Sequence, residues 1–439
     1  MPAIQNTHST HNTASQPHVP PPTGDATHIT RQQWKWTALA GMASYLDAGS
    51  IVALGAGLAL FQTYLGLTDG MIGVLAAIGP NALGCALGAI FGGWLGDKLG
   101  RKFIYQYDLM VYAAGILCIA LAVSWPMLLI GTFVVGVAVG IDVPTSLALV
   151  GELAPPKARG KLLGFTQVAW SLGPVIVLLL ALVLAPLGML GIRIVFLQLF
   201  AAAVVTWILR RGLAESVRWK EARAKTPESR RNITALFSGA NLRALVWTAT
   251  IYLFWNLAAG TAGIFNPYII STLNAGGQAA SVGLSSLNFI ISMIVVIAVF
   301  MRYSDRSHGA RKTLWGIGAI MQIAGYGLFL VLPFDVVTVF VNIALFAAGG
   351  ALAGEAFYKV FSQELFPTML RGTAQGITFG VARTLLAVWS FFVPVLAHLD
   401  IRWVAGLLTL FLLISGVVGF FFMPDTSGKT LEQIEAERS

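Results

Sequence analysis

Apolar positions run along this chain in long blocks, not in short alternation. The stretch "WTALAGMASYLDAGSIVALGAGLALF" is typical, and its one carboxylate is Asp47. Twelve such blocks reach about the length that crosses a bilayer, roughly 20 residues. They lie near 36–62, 70–95, 103–123, 126–151, 161–186, 190–209, 242–272, 279–302, 312–333, 336–361, 372–398 and 401–423. Backbone in lipid must satisfy its own hydrogen bonds, so the pattern predicts an all-α membrane protein with twelve transmembrane helices. The longest polar break divides the blocks six and six. It gives a plan of a disordered tail (1–33), an N-terminal six-helix bundle (34–210), a linker loop (211–241), a C-terminal six-helix bundle (242–424) and a short tail (425–439).

The two halves echo one another. "GELAPPKARG" at 151–160 matches "QELFPTMLRG" at 363–372, pairing Glu152 with Glu364, Arg159 with Arg371 and Gly160 with Gly372 at a constant offset of 212. "GDKLGRK" at 96–102 is echoed by "SDRSHGARK" at 304–312. A parallel repeat of six helices implies two pseudo-symmetric bundles about an axis along the membrane normal.

Composition agrees with this plan. Only 11% of residues are charged and mean hydropathy is +0.76, whereas soluble domains carry about 25% charge. The net charge of +9 could suggest nucleic acid. Its placement points elsewhere: all Lys and Arg except Arg193, Lys359, Arg383 and Arg402 fall in the tails or in alternate loops on one side. That asymmetry puts both termini in the cytoplasm. Cys85 and Cys118 lie singly in spans and imply neither a disulfide framework nor a metal site. Four of the six histidines sit in the polar N-terminal tail, read as a solvated leader. No nucleophile triad, metal constellation or phosphate loop points to an enzyme, and no cofactor is expected.

At "GGWLGDKLGRK" the chain resembles the major facilitator superfamily. The matching residues are Gly93, Asp97, Lys98, Gly100, Arg101 and Lys102. "GELAPPKARGKL", "LAESVRW", "ELFPTMLRG" and "PDTSGKTLEQI" resemble its sugar-porter branch. Ala214 stands where that branch has Pro, and organic-ion transporters share several of these motifs. The resemblance implies alternating access about a central site. It also implies a cytoplasmic gate in which Asp97 accepts from an Arg or a helix N-terminus, while Arg101, Arg159 and Arg371 face Glu152, Glu215 and Glu364. Arg218, Asp305 and Arg306 belong to the same loop set.

Charges at bilayer depth cost roughly 2.5–3.5 kcal/mol on insertion scales, so they mark function. Asp47 lies about 18 Å into the first span at 1.5 Å per residue. Asp142 sits in the fourth span beside Pro144. Glu355 and Lys359 share one helix face at i,i+4. Arg383 lies in the eleventh span. A desolvated carboxyl holds its proton more readily, and the family carries a proton-cycling Asp where Asp47 stands. Asp47, Asp142 and Glu355 are therefore the proton-coupling candidates.

The expected solute contacts are Gln167, Asn256, Asn266, Tyr268, Glu355, Lys359 and Arg383. Trp170, Trp255, Phe265, Phe357, Tyr358 and Trp389 are candidate ring-stacking partners. Gly131 replaces the Arg that sugar–proton porters carry early in span four. The span-seven glutamine pattern of sugar porters is absent. Two readings stay open for Lys359 and Arg383: a clamp for an organic anion or sugar acid, or internal neutralisation of the buried acids around a neutral sugar or polyol. The five buried charges sum to −1.

The expected function is proton-coupled uptake of a small polar solute by a monomer in the lipid bilayer, in a bacterial inner membrane, with no nucleic-acid partner. The alternatives are a proton-independent uniporter or an exporter on the same fold, and, more remotely, a non-transporting sensor.

Overall fold

The computed structural model describes residues 28–212, 215–225, 232–272, 278–333 and 335–438. Its helices, in chain order, are α1 (Arg31–Leu65), α2 (Asp69–Ile78), α3 (Leu83–Leu99), α4 (Arg101–Ala120), α5 (Trp125–Leu153), α6 (Arg159–Val183), α7 (Met189–Arg210) and α8 (Val217–Lys225). They continue as α9 (Gly239–Thr272), α10 (Gln278–Val295), α11 (Met301–Tyr303), α12 (His308–Val331), α13 (Val336–Leu352), α14 (Glu355–Glu364), α15 (Arg371–Leu399), α16 (Ile401–Phe421) and α17 (Leu431–Arg438).

The protein is an all-α, multi-pass membrane protein. Ten helical stretches among the described residues are long and apolar enough to span. The long helices α9 and α15 complete the set of twelve expected from the sequence. Three spans are not single straight helices. The second breaks between α2 and α3 at 79–82, where Pro80 has no backbone N–H to continue the ladder. The eighth passes through a π-turn at Val296–Phe300. The tenth breaks between α13 and α14 at Ala353–Gly354, where the backbone passes the Trp255 indole too closely to admit a side chain at Gly354. That break puts Glu355 in the first turn of α14, at the positive end of a helix.

Within the first half, α1 packs on α6, and α4 packs on α5 and α7. Within the second half, α12 packs on α13 and α16, and α9 on α15 and α16. The halves meet chiefly through α3 against α15 and α6 against α10. Large apolar side chains such as Phe91, Val183 and Ile320 are exposed around the exterior, as a surface facing lipid requires.

Two segments outside the spans are built onto the bundle. Helix α1 starts at Arg31, where Thr30 and Gln33 form a reciprocal cap, so the expected disordered tail of 1–33 gives way to structure before its end. Residues 1–27 lie outside the described residues. Helix α17 buries Leu431 and Ile434 and reaches the linker through Arg438, which donates to the Ala240 carbonyl at 2.6 Å.

Candidate functional site

The charged loops come together on one face of the protein in two matching clusters. In the first, Asp97 at the end of α3 caps the start of α15 in the other half. It accepts from the amides of Gly372 (3.1 Å) and Thr373 (2.6 Å) and from the Thr373 hydroxyl (2.7 Å). Arg101 binds Asp97 at 2.8 Å and Glu152 at 2.8 Å, and donates across to the Thr368 carbonyl at 3.0 Å. Arg371 adds a contact to Glu152 at 3.5 Å.

The second cluster repeats this plan with the halves exchanged. Asp305 caps the start of α6, accepting from the amides of Gly160 and Lys161 at 2.8 Å each. Arg311 binds Glu364 at 2.7 Å, and Arg159 reaches the same carboxylate at 3.0 Å. A carboxylate at a helix N-terminus meets both the dipole and its unpaired amides, so each cap pins one half to the other. Burial pushes the Asp305 carboxyl above its usual range, against the pull of Arg311 and the two amides.

The motif glycines serve close approach. Gly100 has φ +104° in the turn between α3 and α4, and an added Cβ would sit 2.3 Å from Glu215 Oε2. Glu215 itself accepts from the amides of Arg101 and Lys102 and does not pair with the Arg101 guanidinium. Arg218 pairs with Glu432 of α17 at 3.5 Å, joining two of the motif segments. Lys98 lies over Trp94 and Arg306 over Tyr303, outside both clusters.

Deeper in, α1, α6, α14 and α15 bring a second group together. Asp47 faces Arg383 at 3.8 Å and accepts from the Trp170 indole at 3.3 Å. Its Oδ1 is buried without a hydrogen-bond partner among the described residues. Arg383 also donates to Asn81, in the break of the second span, and lies over the Phe379 ring. Lys359 donates to Gln167 at 2.7 Å and sits 3.7 Å from Glu355. Gln167 donates back to Glu355 at 3.4 Å, and Ser44 lies 3.5 Å from Lys359. Every charge in this group is buried.

Above it lies a cavity of about 1030 Å³, lined by Ile51, Asn81, Leu178, Phe289, Leu386 and Ser390 among others. Its residues on α6 come from the end of that helix opposite Arg159, so the cavity lies on the side away from the charged clusters. Asn81 belongs both to its wall and to the Arg383 contact.

A profile for the Major Facilitator Superfamily matches residues 37–389. The chain belongs to this superfamily. Over 414 residues it is 39% identical to the minor myo-inositol transporter IolF of Bacillus subtilis, covering 92% of this chain and 93% of that one. The XylE proton:xylose symporter bound to 6-bromo-6-deoxy-D-glucose has the same fold, with a TM-score of 0.81 at 18% identity over 93% of this chain and 99% of that one. The inward-open form of XylE from E. coli is less similar in shape, at a TM-score of 0.66 and 18% identity over 93% of this chain and all of that one.

Several expected positions of the superfamily site differ in the structure. Asp142 does not join the central group. It pairs with Arg210 at 3.0 Å, toward the charged face, because α5 carries it past the level of Asp47. Asn256 is buried on α9, and no hydrogen bond joins it to either central pair among the described residues. The side chains of Phe265, Asn266 and Tyr268 lie outside the described residues. Trp255 is buried beside the break of span ten. Phe357 packs on Phe300 and Trp315, and Trp389 bonds Thr261, which are packing roles. Tyr358 stacks on Tyr252 at 3.9 Å.

Asn81, Ser44 and Arg210 were not singled out by the sequence. Asn81 carried one signal, a polar residue next to a proline inside an apolar span.

Proposed function

We propose that this protein is a secondary active transporter that takes up a neutral polyol or sugar of the inositol type together with protons. It works as a monomer by alternating access, with the charged face and both termini in the cytoplasm of a bacterial inner membrane. The clusters that tie α3 to α15 and α6 to the loop after α11 form the cytoplasmic gate, closed here while the cavity lies on the outer side.

The observation that carries the substrate class is the internal pairing of the central charges. Arg383 is matched by Asp47, and Lys359 by Glu355. A site whose cations are already neutralised gains little from an anionic solute, because binding one would strand the partner acid in a dry environment. A polyol hydroxyl can donate to the open oxygen of Asp47 and accept from Gln167 or Asn81. The inositol transporter among the relatives supports the same class. Protonation of Asp47 would release Arg383, which links the proton to the site.

The test is uptake of radiolabelled myo-inositol into proteoliposomes containing the purified protein. An inward proton gradient is expected to drive accumulation above the equilibrium level. Asp47→Asn is expected to abolish that accumulation while leaving solute exchange. Uptake that stops at the equilibrium level, is indifferent to the gradient and is unchanged in Asp47→Asn would make the protein a uniporter. A second reading, an anionic solute, is favoured by the Arg383 Nε, which has no hydrogen-bond partner among the described residues. Competition by a sugar acid but not by inositol, lost in Arg383→Ala, would establish it.

A further inference from the structure

A separate group of buried charges lies within the N-terminal half and takes no part in the central site. Asp108 on α4, Asp142 on α5 and Arg210 at the end of α7 are all buried. Arg210 Nη1 lies 3.0 Å from Asp142 Oδ2 and 3.5 Å from Asp108 Oδ2. Its other donors are spent on α1: Nε and Nη2 both bond the Leu39 carbonyl, at 3.1 and 2.8 Å. The guanidinium plane rests over the Tyr105 ring, 4.2 Å from its centre.

Both carboxyl groups converge on the same guanidinium nitrogen, Arg210 Nη1. Charge balance requires a proton on one of them. Two acids share one cation, and a second buried negative charge without a partner is costly. The remaining oxygens are already served. The Leu109 amide donates to Asp108 Oδ1 at 2.6 Å, and the Ser146 hydroxyl donates to Asp142 Oδ1 while accepting from Tyr105 at 3.0 Å. The titratable and charged groups facing the pair are Arg210 from α7 and Tyr105 from α4. Among the described residues, α5 adds only the Ser146 hydroxyl and α1 only the Leu39 carbonyl.

We propose that Asp108 and Asp142 share one proton and form a second proton-binding site, distinct from Asp47. The site is built into the packing of the bundle. Arg210 joins it to Leu39, which precedes Asp47 by eight residues on the same helix, about 12 Å at the helical rise. Loss of the shared proton sets two negative charges on one guanidinium and weakens its grip on α1. What the proton does during transport rests on the proton-coupled reading above; that it is bound does not.

The test is pH-difference infrared spectroscopy of the purified full-length protein in lipid, read in the band of protonated carboxyl groups. The wild type is expected to show a carboxylic acid signal that disappears in both Asp108→Asn and Asp142→Asn and persists in Asp47→Asn. Asparagine has the shape of the protonated acid and suits folding. Asp108→Glu gives a second handle, since it keeps the shared proton and moves the band. Spectra unchanged by Asp108→Asn, Asp142→Asn and Asp108→Glu would overturn the proposal, as would a wild-type signal that vanishes with Asp47→Asn alone. Failure of proton-driven inositol accumulation would count against the transport reading and leave these spectra as they are.

Discussion

Replacing Gly93 with valine will keep the charged face from closing. A Cβ at this position would lie 2.1 Å from the Gly372 carbonyl oxygen and 2.7 Å from its carbon. Both are backbone atoms at the start of α15, so neither can swing aside. A side chain there must push α3 and α15 apart, and that separation breaks the Asp97 cap on the amides of Gly372 and Thr373. Hydrogen bonds to a charged group contribute about 1.5–3 kcal/mol each. Loss of the cap therefore shifts the balance between closed and open forms by at least tenfold, since 1.4 kcal/mol is about a factor of ten.

The measurement is a distance distribution between spin labels at Lys98→Cys and Arg306→Cys, both exposed and outside the clusters, with Cys85 and Cys118 removed. Gly93→Val is expected to move the population to long distances, and Gly93→Ala to do so partially. Gly73→Val is the control, because nothing lies within 4 Å of a Cβ there. An unchanged distribution in Gly93→Val would mean that the face does not close through this contact.

Glu364→Gln will cost the closed form about 3–5 kcal/mol, the usual result of removing one partner from a buried ion pair. Glu364 is reached by Arg311 through both oxygens, at 2.7 and 3.2 Å, by Arg159 at 3.0 Å and by the Thr426 hydroxyl at 2.6 Å. An amide in its place leaves Arg159 without an anionic partner among the described residues. Arg311 keeps one carboxylate among the described residues, Asp305 at 3.6 Å, beside the Ser304 carbonyl and the Thr426 hydroxyl. The expected outcome is a lower Tm together with a shift of the same label pair to long distances. Adding Arg159→Met removes the stranded cation and should restore part of the loss, a coupling that a double-mutant cycle measures. If these charges served only to orient the chain in the membrane, Glu364→Gln would insert, melt and sample distances as the wild type does.

The pairing of Glu364 with Arg159 was within reach of the sequence. The repeat placed Glu152, Arg159, Glu364 and Arg371 at one offset, and exchange between halves follows from two-fold symmetry. The i,i+4 pair of Glu355 and Lys359 was legible for a simpler reason: both lie on one short helix, where spacing alone sets the distance. The partner of Asp142 was not legible. Its position along α5 gave a depth, but the choice between Arg383 and Arg210 depends on which helix packs beside α5. Arg210 looked like one more basic residue at the end of a span. Asn81 escaped for a related reason: it faces Arg383 only because the second span breaks at Pro80 and the two halves meet there.

The sequence by itself determined the twelve spans, the repeat and the residues of the charged clusters, because these follow from apolar length and motif spacing. Each is a property of the chain in one dimension. The tertiary structure alone decided how the buried charges are shared. It set Asp47 against Arg383 across the two halves, and it set Asp108, Asp142 and Arg210 together within one. Electrostatic pairing falls off within a few ångströms, and distances of that size between different helices are fixed only by packing.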